Sequence, residues 1–96
     1  MLRPFLLVID VNQGLRQEVL DFLDTRREVK NWSAFFPTGI VIIADSDVTT
    51  LSDLVHERFP TRHFLLTEMG AGTNNGWLPK TVWDFINAPK STGRWP

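Results

Sequence analysis

Apolar residues along the chain form short continuous runs that alternate with stripes at helical spacing. The first run, Phe5–Ile9, ends at Asp10 and is followed by Asn12-Gln13-Gly14, a pattern typical of a buried strand that leaves through a turn. The first stripe recurs at i, i+4, i+7 and i+8 and predicts a helix over about residues 14–29 with Asn12 as its N-cap. Its apolar members are Leu15, Val19, Phe22 and Leu23.

The middle of the chain repeats this alternation. Trp32–Phe36 and Ile40–Ala44 flank a Pro-Thr-Gly turn and predict an antiparallel hairpin. Thr50 and Asp53 then have the spacing of a capping box. The stripe that follows predicts a second helix, which Pro60 ends; its apolar members are Leu51, Leu54, Val55 and Phe59.

The last third of the chain contains one strand and one short helix. His63–Met69 predicts the strand, and a glycine-rich loop over residues 70–76 follows it. Pro79 suits the first turn of a helix, where a missing N–H costs nothing. This helix carries Val82, Trp83, Phe85 and Ile86. We expect one domain over residues 1–89 and a flexible tail over residues 90–96, with Trp95 as a candidate docking anchor.

The order of the elements is strand, helix, strand, strand, helix, strand and terminal helix. It predicts an α+β, ferredoxin-like βαββαβ sandwich with a four-stranded antiparallel sheet, two helices on one face and an extra C-terminal helix. The other face of the sheet must be covered by the terminal helix, by a partner or by a ligand. Domains with such a face often pair, so we expect a homodimer.

Composition narrows the class of protein. The chain has 96 residues, 43% of them hydrophobic and 22% charged, with a net charge of −1 and no cysteine. These values are typical of one globular domain, and they exclude disulfides and thiolate metal sites. No apolar run approaches the roughly 20 residues of a membrane span. We therefore expect a cytoplasmic protein without membrane association.

Asp10 is the sharpest candidate for chemistry, because it directly follows a buried strand. Two such carboxylates, brought together across a two-fold axis, could hold Mg²⁺ or Mn²⁺ through oxygen ligands. The alternative is that Asp10 is a turn or capping residue. The two histidines, His56 and His63, lack the i, i+4 spacing of a helical metal pair and are interpreted as surface residues.

Two further segments have two interpretations each. The loop over residues 70–76, with Lys80 behind it, is either a flexible linker or a phosphate cradle, although no phosphate-binding fingerprint is present. Basic and aromatic residues on and after the first helix either bind nucleic acid or form a solvated face of mixed charge. The candidate nucleic-acid-binding residues are Arg16, Arg26, Arg27, Lys30 and Trp32.

Three segments resemble a known family of small bacterial proteins. Val8-Ile9-Asp10-Val11, the hairpin over residues 32–43, and Gly76-Trp77-Leu78-Pro79 with Trp83 are similar to the "SinR family". That family is related to the small CRISPR-associated endoribonuclease and scaffold proteins and to virulence-associated ribonuclease toxins. The resemblance spans about residues 4–87. It implies a ferredoxin-like homodimer in which Asp10 matches the proposed metal-binding catalytic residue.

We therefore carry three functional hypotheses. The favoured one is a dimeric scaffold or binding module that engages a protein or a nucleic acid (RNA or DNA) without chemistry; Phe35, Trp77 and Trp83 are its candidate partner-interface residues. The alternative is a metal-dependent endoribonuclease or phosphodiesterase that uses Asp10 across the homodimer with Mg²⁺ or Mn²⁺. The weakest is a small-ligand sensor that uses the glycine loop and Lys80.

Overall fold

One four-stranded antiparallel sheet organises the chain. The structure, a computed structural model, describes residues 1–10, 15–70 and 72–92. Its elements in chain order are β1 (Arg3–Ile9), α1 (Leu15–Asp24), β2 (Val29–Ser33), β3 (Gly39–Ala44), α2 (Val48–Arg58), β4 (Phe64–Glu68) and α3 (Lys80–Asn87). The strand order is β2-β3-β1-β4, and every neighbouring pair is antiparallel. The predicted α+β class and antiparallel sheet are confirmed, and the arrangement is compatible with a ferredoxin-like fold.

The main core lies between the sheet and the first two helices. Alternation along β1 turns Phe5, Leu7 and Ile9 towards these helices, and all three are buried. The apolar stripes of α1 and α2 meet them, as their helical spacing predicts. Phe22 and Phe59 close one end of this layer, with their rings edge to face and their centroids 5.7 Å apart. The helical members of the core are Leu15, Val19, Leu20, Leu23, Leu51 and Val55.

Helix α3 covers part of the second face of the sheet. Val41 packs there with Val82 and Ile86 in a separate buried cluster, and Leu6 and Trp83 lie against it. All six residues of β3 are buried, because this strand has one face against α1 and α2 and the other against α3. The sequence left open whether the terminal helix, a partner or a ligand covers this face; within a single copy, the terminal helix packs on it.

The boundary between α1 and β2 differs from the prediction. Helix α1 ends at Asp24 instead of near residue 29, because Thr25 turns the chain: its N–H and its hydroxyl both donate to the Phe22 carbonyl, at 2.9 and 2.7 Å. Strand β2 then begins at Val29, which is buried and pairs with Ala44 across a bulge. The predicted strand over residues 32–36 is wrong in its second half, since Phe35 and Phe36 lie beyond β2 and are exposed.

The start of α2 also differs. Asp47 is the N-cap: its carboxylate accepts a hydrogen bond from the Thr50 N–H at 2.7 Å, so the helix begins at Val48 and the Thr50 capping box is wrong. This hydrogen bond lowers the pKa of Asp47. The helix ends at Arg58, before Pro60, as expected.

The segment after α3 packs against the edge of the sheet. Residues 90–92 of the expected tail hydrogen-bond to β2, with the Thr92 N–H donating to the Lys30 carbonyl at 3.0 Å. The predicted Asn12-Gln13-Gly14 turn, the Asn12 cap and the Trp95 anchor lie outside the described residues. Among the helices that the structure describes, none has the length and apolar character needed to cross a bilayer.

Candidate functional site

An apolar groove of about 430 Å³ opens on the second face of the sheet. Its floor is formed by Leu6 of β1 and Val41 of β3, which are cross-strand neighbours. Trp83 and Ile86 of α3 form one wall, because α3 covers only part of this face. The remaining lining residues are Phe36, Met69, Thr73, Asn74, Asn75, Gly76, Trp77 and Leu78. The volume is in the range of small-molecule and side-chain pockets.

The rim of the groove carries exposed aromatic side chains. Trp77 is fully exposed, at 100% of its reference area, and Phe36 is 39% exposed. Phe36 packs on Gly39, where an added Cβ would lie 3.4 Å from the Phe36 Cβ. Phe35 in turn stacks edge to face on Phe36, with the ring centroids 5.1 Å apart. Phe36 is therefore packed against neighbouring residues, whereas the Trp77 side chain is fully open to solvent.

Residues 73–76 form a second wall of the groove; they belong to the loop that the sequence predicts as either a flexible linker or a phosphate cradle. The Gly70 carbonyl accepts hydrogen bonds from the Thr73 N–H, the Thr73 hydroxyl and the Asn74 side-chain amide, at 3.2, 2.8 and 2.9 Å. Gly72 has φ +76°, a backbone conformation that favours glycine. These contacts place Asn74 and Asn75 beside the apolar floor. Their amides could donate to or accept from a ligand's polar groups.

No charged side chain lines the groove among the residues that the structure describes. The nearest cation along the chain, Lys80, is paired with Asp84 one helical turn later, with 2.8 Å between Nζ and Oδ2. This hydrogen bond raises the pKa of Lys80. The groove therefore favours an uncharged, apolar ligand group over phosphate.

Asp10 does not line the groove. It follows β1 directly and is exposed, as are His56 on α2 and His63 before β4. Within the described ranges, no group of three or more His, Asp or Glu side chains is placed to hold a metal ion. The assignment of Asp10 as a metal-binding catalytic residue stays a prediction.

The candidate nucleic-acid-binding residues are spread along α1 and β2, and several are used inside the fold. Arg16 donates from Nη2 to the Ala34 carbonyl at 2.6 Å and so links α1 to the end of β2. Arg26, beyond the other end of α1, forms an ion pair with Glu28. The Trp32 indole N–H donates to Asp24 at 2.7 Å. Arg27 is exposed and Lys30 is half-buried.

Part of the groove lining was therefore predicted from the sequence. Of the candidate interface residues, Trp77 and Trp83 line it together, while Phe35 only supports the rim through Phe36. The floor residues Leu6 and Val41 were missed as site residues, because an aliphatic run buried on both faces does not reveal which residues face an opening.

Comparison of the chain with protein-family models, with curated proteins and with solved structures gives no match. The relation to the "SinR family" stays a prediction.

Proposed function

We propose that this chain is a ferredoxin-like, dimeric binding module whose groove takes an apolar anchor from a protein partner. The observation that carries the proposal is Trp77, fully exposed on the rim of the uncharged groove. Exposed aromatic residues next to a preformed apolar concavity are typical of the centres of protein interfaces.

The ferredoxin-like part of the proposal is supported by topology. The order β2-β3-β1-β4 places the two central strands, β1 and β3, side by side. The chain reaches β2 from β1 through α1, and β4 from β3 through α2. Both helices pack on the same face, in the core that contains Phe5 and Ile42. This arrangement leaves the opposite face for α3 and the groove.

The chemistry of the groove favours a protein over a nucleic acid. A nucleic-acid strand needs cations along its phosphates, and the described lining contains none. The wall amides of Asn74 and Asn75 match the hydrogen-bonding groups of a peptide backbone. An aliphatic or aromatic side chain with its flanking backbone is therefore the ligand that we infer.

Burial of Trp77 supplies a sizeable part of the affinity. A tryptophan buries on the order of 150–250 Å². At about 25 cal/mol per Å², full burial gains about 4–6 kcal/mol before the costs of association are subtracted. A partner that closes over Trp77 and fills the groove would thus obtain most of its binding energy from a small area.

A phage-displayed peptide library, panned on the wild-type protein, tests the proposal. We expect the recovered peptides to contain an apolar or aromatic anchor. We also expect Trp77→Ala to weaken their binding by about 30-fold, because a central hot spot contributes about 2 kcal/mol or more. Val48→Ala is the matched control, since Val48 is an exposed apolar residue on α2, outside the groove.

Two results would contradict the proposal. One is a peptide set that binds wild type and Trp77→Ala equally well. The other is tight, salt-dependent binding of RNA or DNA, together with no recovered peptide. The second result would move the site to the basic residues near Arg27 and Lys30.

A further inference from the structure

The two edges of the sheet differ in how their backbone is satisfied. At the β2 edge, residues 90–92 pair with the strand: the Thr92 N–H donates to the Lys30 carbonyl at 3.0 Å, and the Asn31 amide donates to the Lys90 carbonyl at 3.2 Å. At the other edge, β4 pairs with β1 alone in the part of the chain that the structure describes. An uncovered edge of this kind is a template for another strand.

The register shows which backbone groups of β4 face outwards. The Met69 N–H donates to the Pro4 carbonyl at 2.9 Å, so residue 69 faces β1. Because bonding alternates along an antiparallel strand, Leu65 and Thr67 also face β1, while Phe64, Leu66 and Glu68 present their N–H and carbonyl groups outwards. These groups can accept one more antiparallel strand.

We propose that the β4 edge pairs with the β4 edge of a second copy, antiparallel, about a two-fold axis through Leu65. Leu65 is 64% exposed, although it lies in a strand and beside Val8. In this register Leu65 meets its own copy in a non-hydrogen-bonded pair, where side chains approach most closely. Phe64 and the partner's Leu66 then exchange backbone hydrogen bonds.

Charge selects this register. It places the Arg62 side chain beside the partner's Glu68 at both ends of the ladder, and cross-strand pairs of opposite charge stabilise a sheet. Arg62 lies two residues before β4 and its N–H donates to the Phe59 carbonyl at 3.2 Å, so only its side chain takes part in this pairing. Glu68 already pairs with Arg3 at 2.9 Å and lies partly exposed at the edge. Arg62 is exposed and makes no ion pair within the described residues. A register centred on Leu66 would instead place apolar Phe64 opposite the partner's Glu68.

The pairing has a consequence for function. Asp10 directly follows Ile9, which pairs with Phe64. Continuing this register by one residue places Asp10 beside His63, so strand spacings put the two Asp10 residues roughly 20 Å apart in this dimer. That separation is too large for the two carboxylates to share a metal ion. The two grooves would lie on the same face of the joined sheet, where one partner with two anchors could occupy both.

Analytical ultracentrifugation with charge reversals tests the inference. We expect the wild type to dimerise, and R62E and E68R each to weaken self-association by about tenfold or more, because like charges then face each other at both ends. An equimolar mixture of the two variants restores both attractive pairs and should dimerise as the wild type does. Glu57→Arg, an exposed reversal on α2, is the matched control.

Three results would overturn the inference: a wild type that is monomeric up to millimolar concentration, a dimer that neither reversal weakens, or a mixture that stays monomeric while far-UV circular dichroism shows both variants folded. Binding of the panned peptides separates this inference from the proposed groove. R62E should bind them as wild type does, whereas Trp77→Ala should still dimerise.

Discussion

Removing Ile86 from the inner side of α3 should destabilise the protein far more than removing Trp77 from the rim. Ile86 is 3% exposed and packs with Val41 and Val82 on the second face of the sheet. Ile→Ala at a buried site costs about 2–5 kcal/mol. Ile86 also borders the open groove, where water can enter the space that is left, so we expect a loss of about 2–3 kcal/mol.

This loss is a large fraction of the protein's total free energy of unfolding. A domain of 96 residues has a free energy of unfolding of about 5–14 kcal/mol. With a urea dependence of about 1.5 kcal/mol per M, the Ile86→Ala midpoint should fall by about 1.3–2 M. Trp77→Ala should stay within about 0.5 kcal/mol of wild type, since a fully exposed side chain loses no packing.

Equilibrium urea unfolding, followed by far-UV circular dichroism, measures both variants without depending on tryptophan emission. Ile86→Val is an intermediate control, with an expected loss of about 0.5–1.5 kcal/mol. If Ile86→Ala proved as mild as Trp77→Ala, α3 would not be seated on the sheet, and the groove would lose its wall. A large loss of stability in Trp77→Ala would show that the Trp77 side chain packs in the folded protein.

Substitutions at three further positions test the helix cap, the α1–β2 link and the role of Asp10. Asp47→Ala should lower the urea unfolding midpoint at neutral pH, whereas Asp47→Asn should keep most of the cap. Because the pKa of Asp47 is lowered in the folded state, the difference between Asp47→Ala and wild type should shrink as the pH falls below 3.8. Arg16→Ala should lower stability by about 1–2 kcal/mol through loss of its bond to Ala34, and an RNA-binding defect without that loss would contradict this role. Wild type and Asp10→Asn should both leave RNA and DNA intact in Mg²⁺ or Mn²⁺; cleavage that chelator and the substitution both abolish would establish the nuclease alternative.

The fold could be predicted from the sequence wherever the apolar pattern of a segment matches the face that is buried in the structure. The stripe of α1 and the run of β1 were readable, because each places its apolar residues on the face that becomes buried. The end of α1 could not be predicted from the sequence, because Arg26–Glu28 has a composition that is typical of a helix. Val29 nevertheless belongs to β2, since it pairs with Ala44. Tertiary pairing overrides local propensity at such a boundary.

The site was harder to predict for a related reason. Trp77 and Trp83 stood out by residue type, but their convergence depends on α3 crossing the second face, which no local pattern specifies. For Arg16 and Trp32 the residue type was misleading. Both are residue types that contact nucleic acids, yet each donates a hydrogen bond within the chain, Arg16 to Ala34 and Trp32 to Asp24.

Binding in the groove can be followed through the tryptophan indole N–H signals in ¹H–¹⁵N NMR spectra. Trp77 and Trp83 line the groove, whereas the Trp32 indole is bonded to Asp24 away from it. The signals are assigned through single Trp→Phe variants and titrated with a peptide recovered by panning. We expect the Trp77 and Trp83 signals to shift and saturate together, while the Trp32 signal does not shift. Saturable shifts of the Trp32 signal, with the Trp77 and Trp83 signals unchanged, would show that the peptide binds outside the groove.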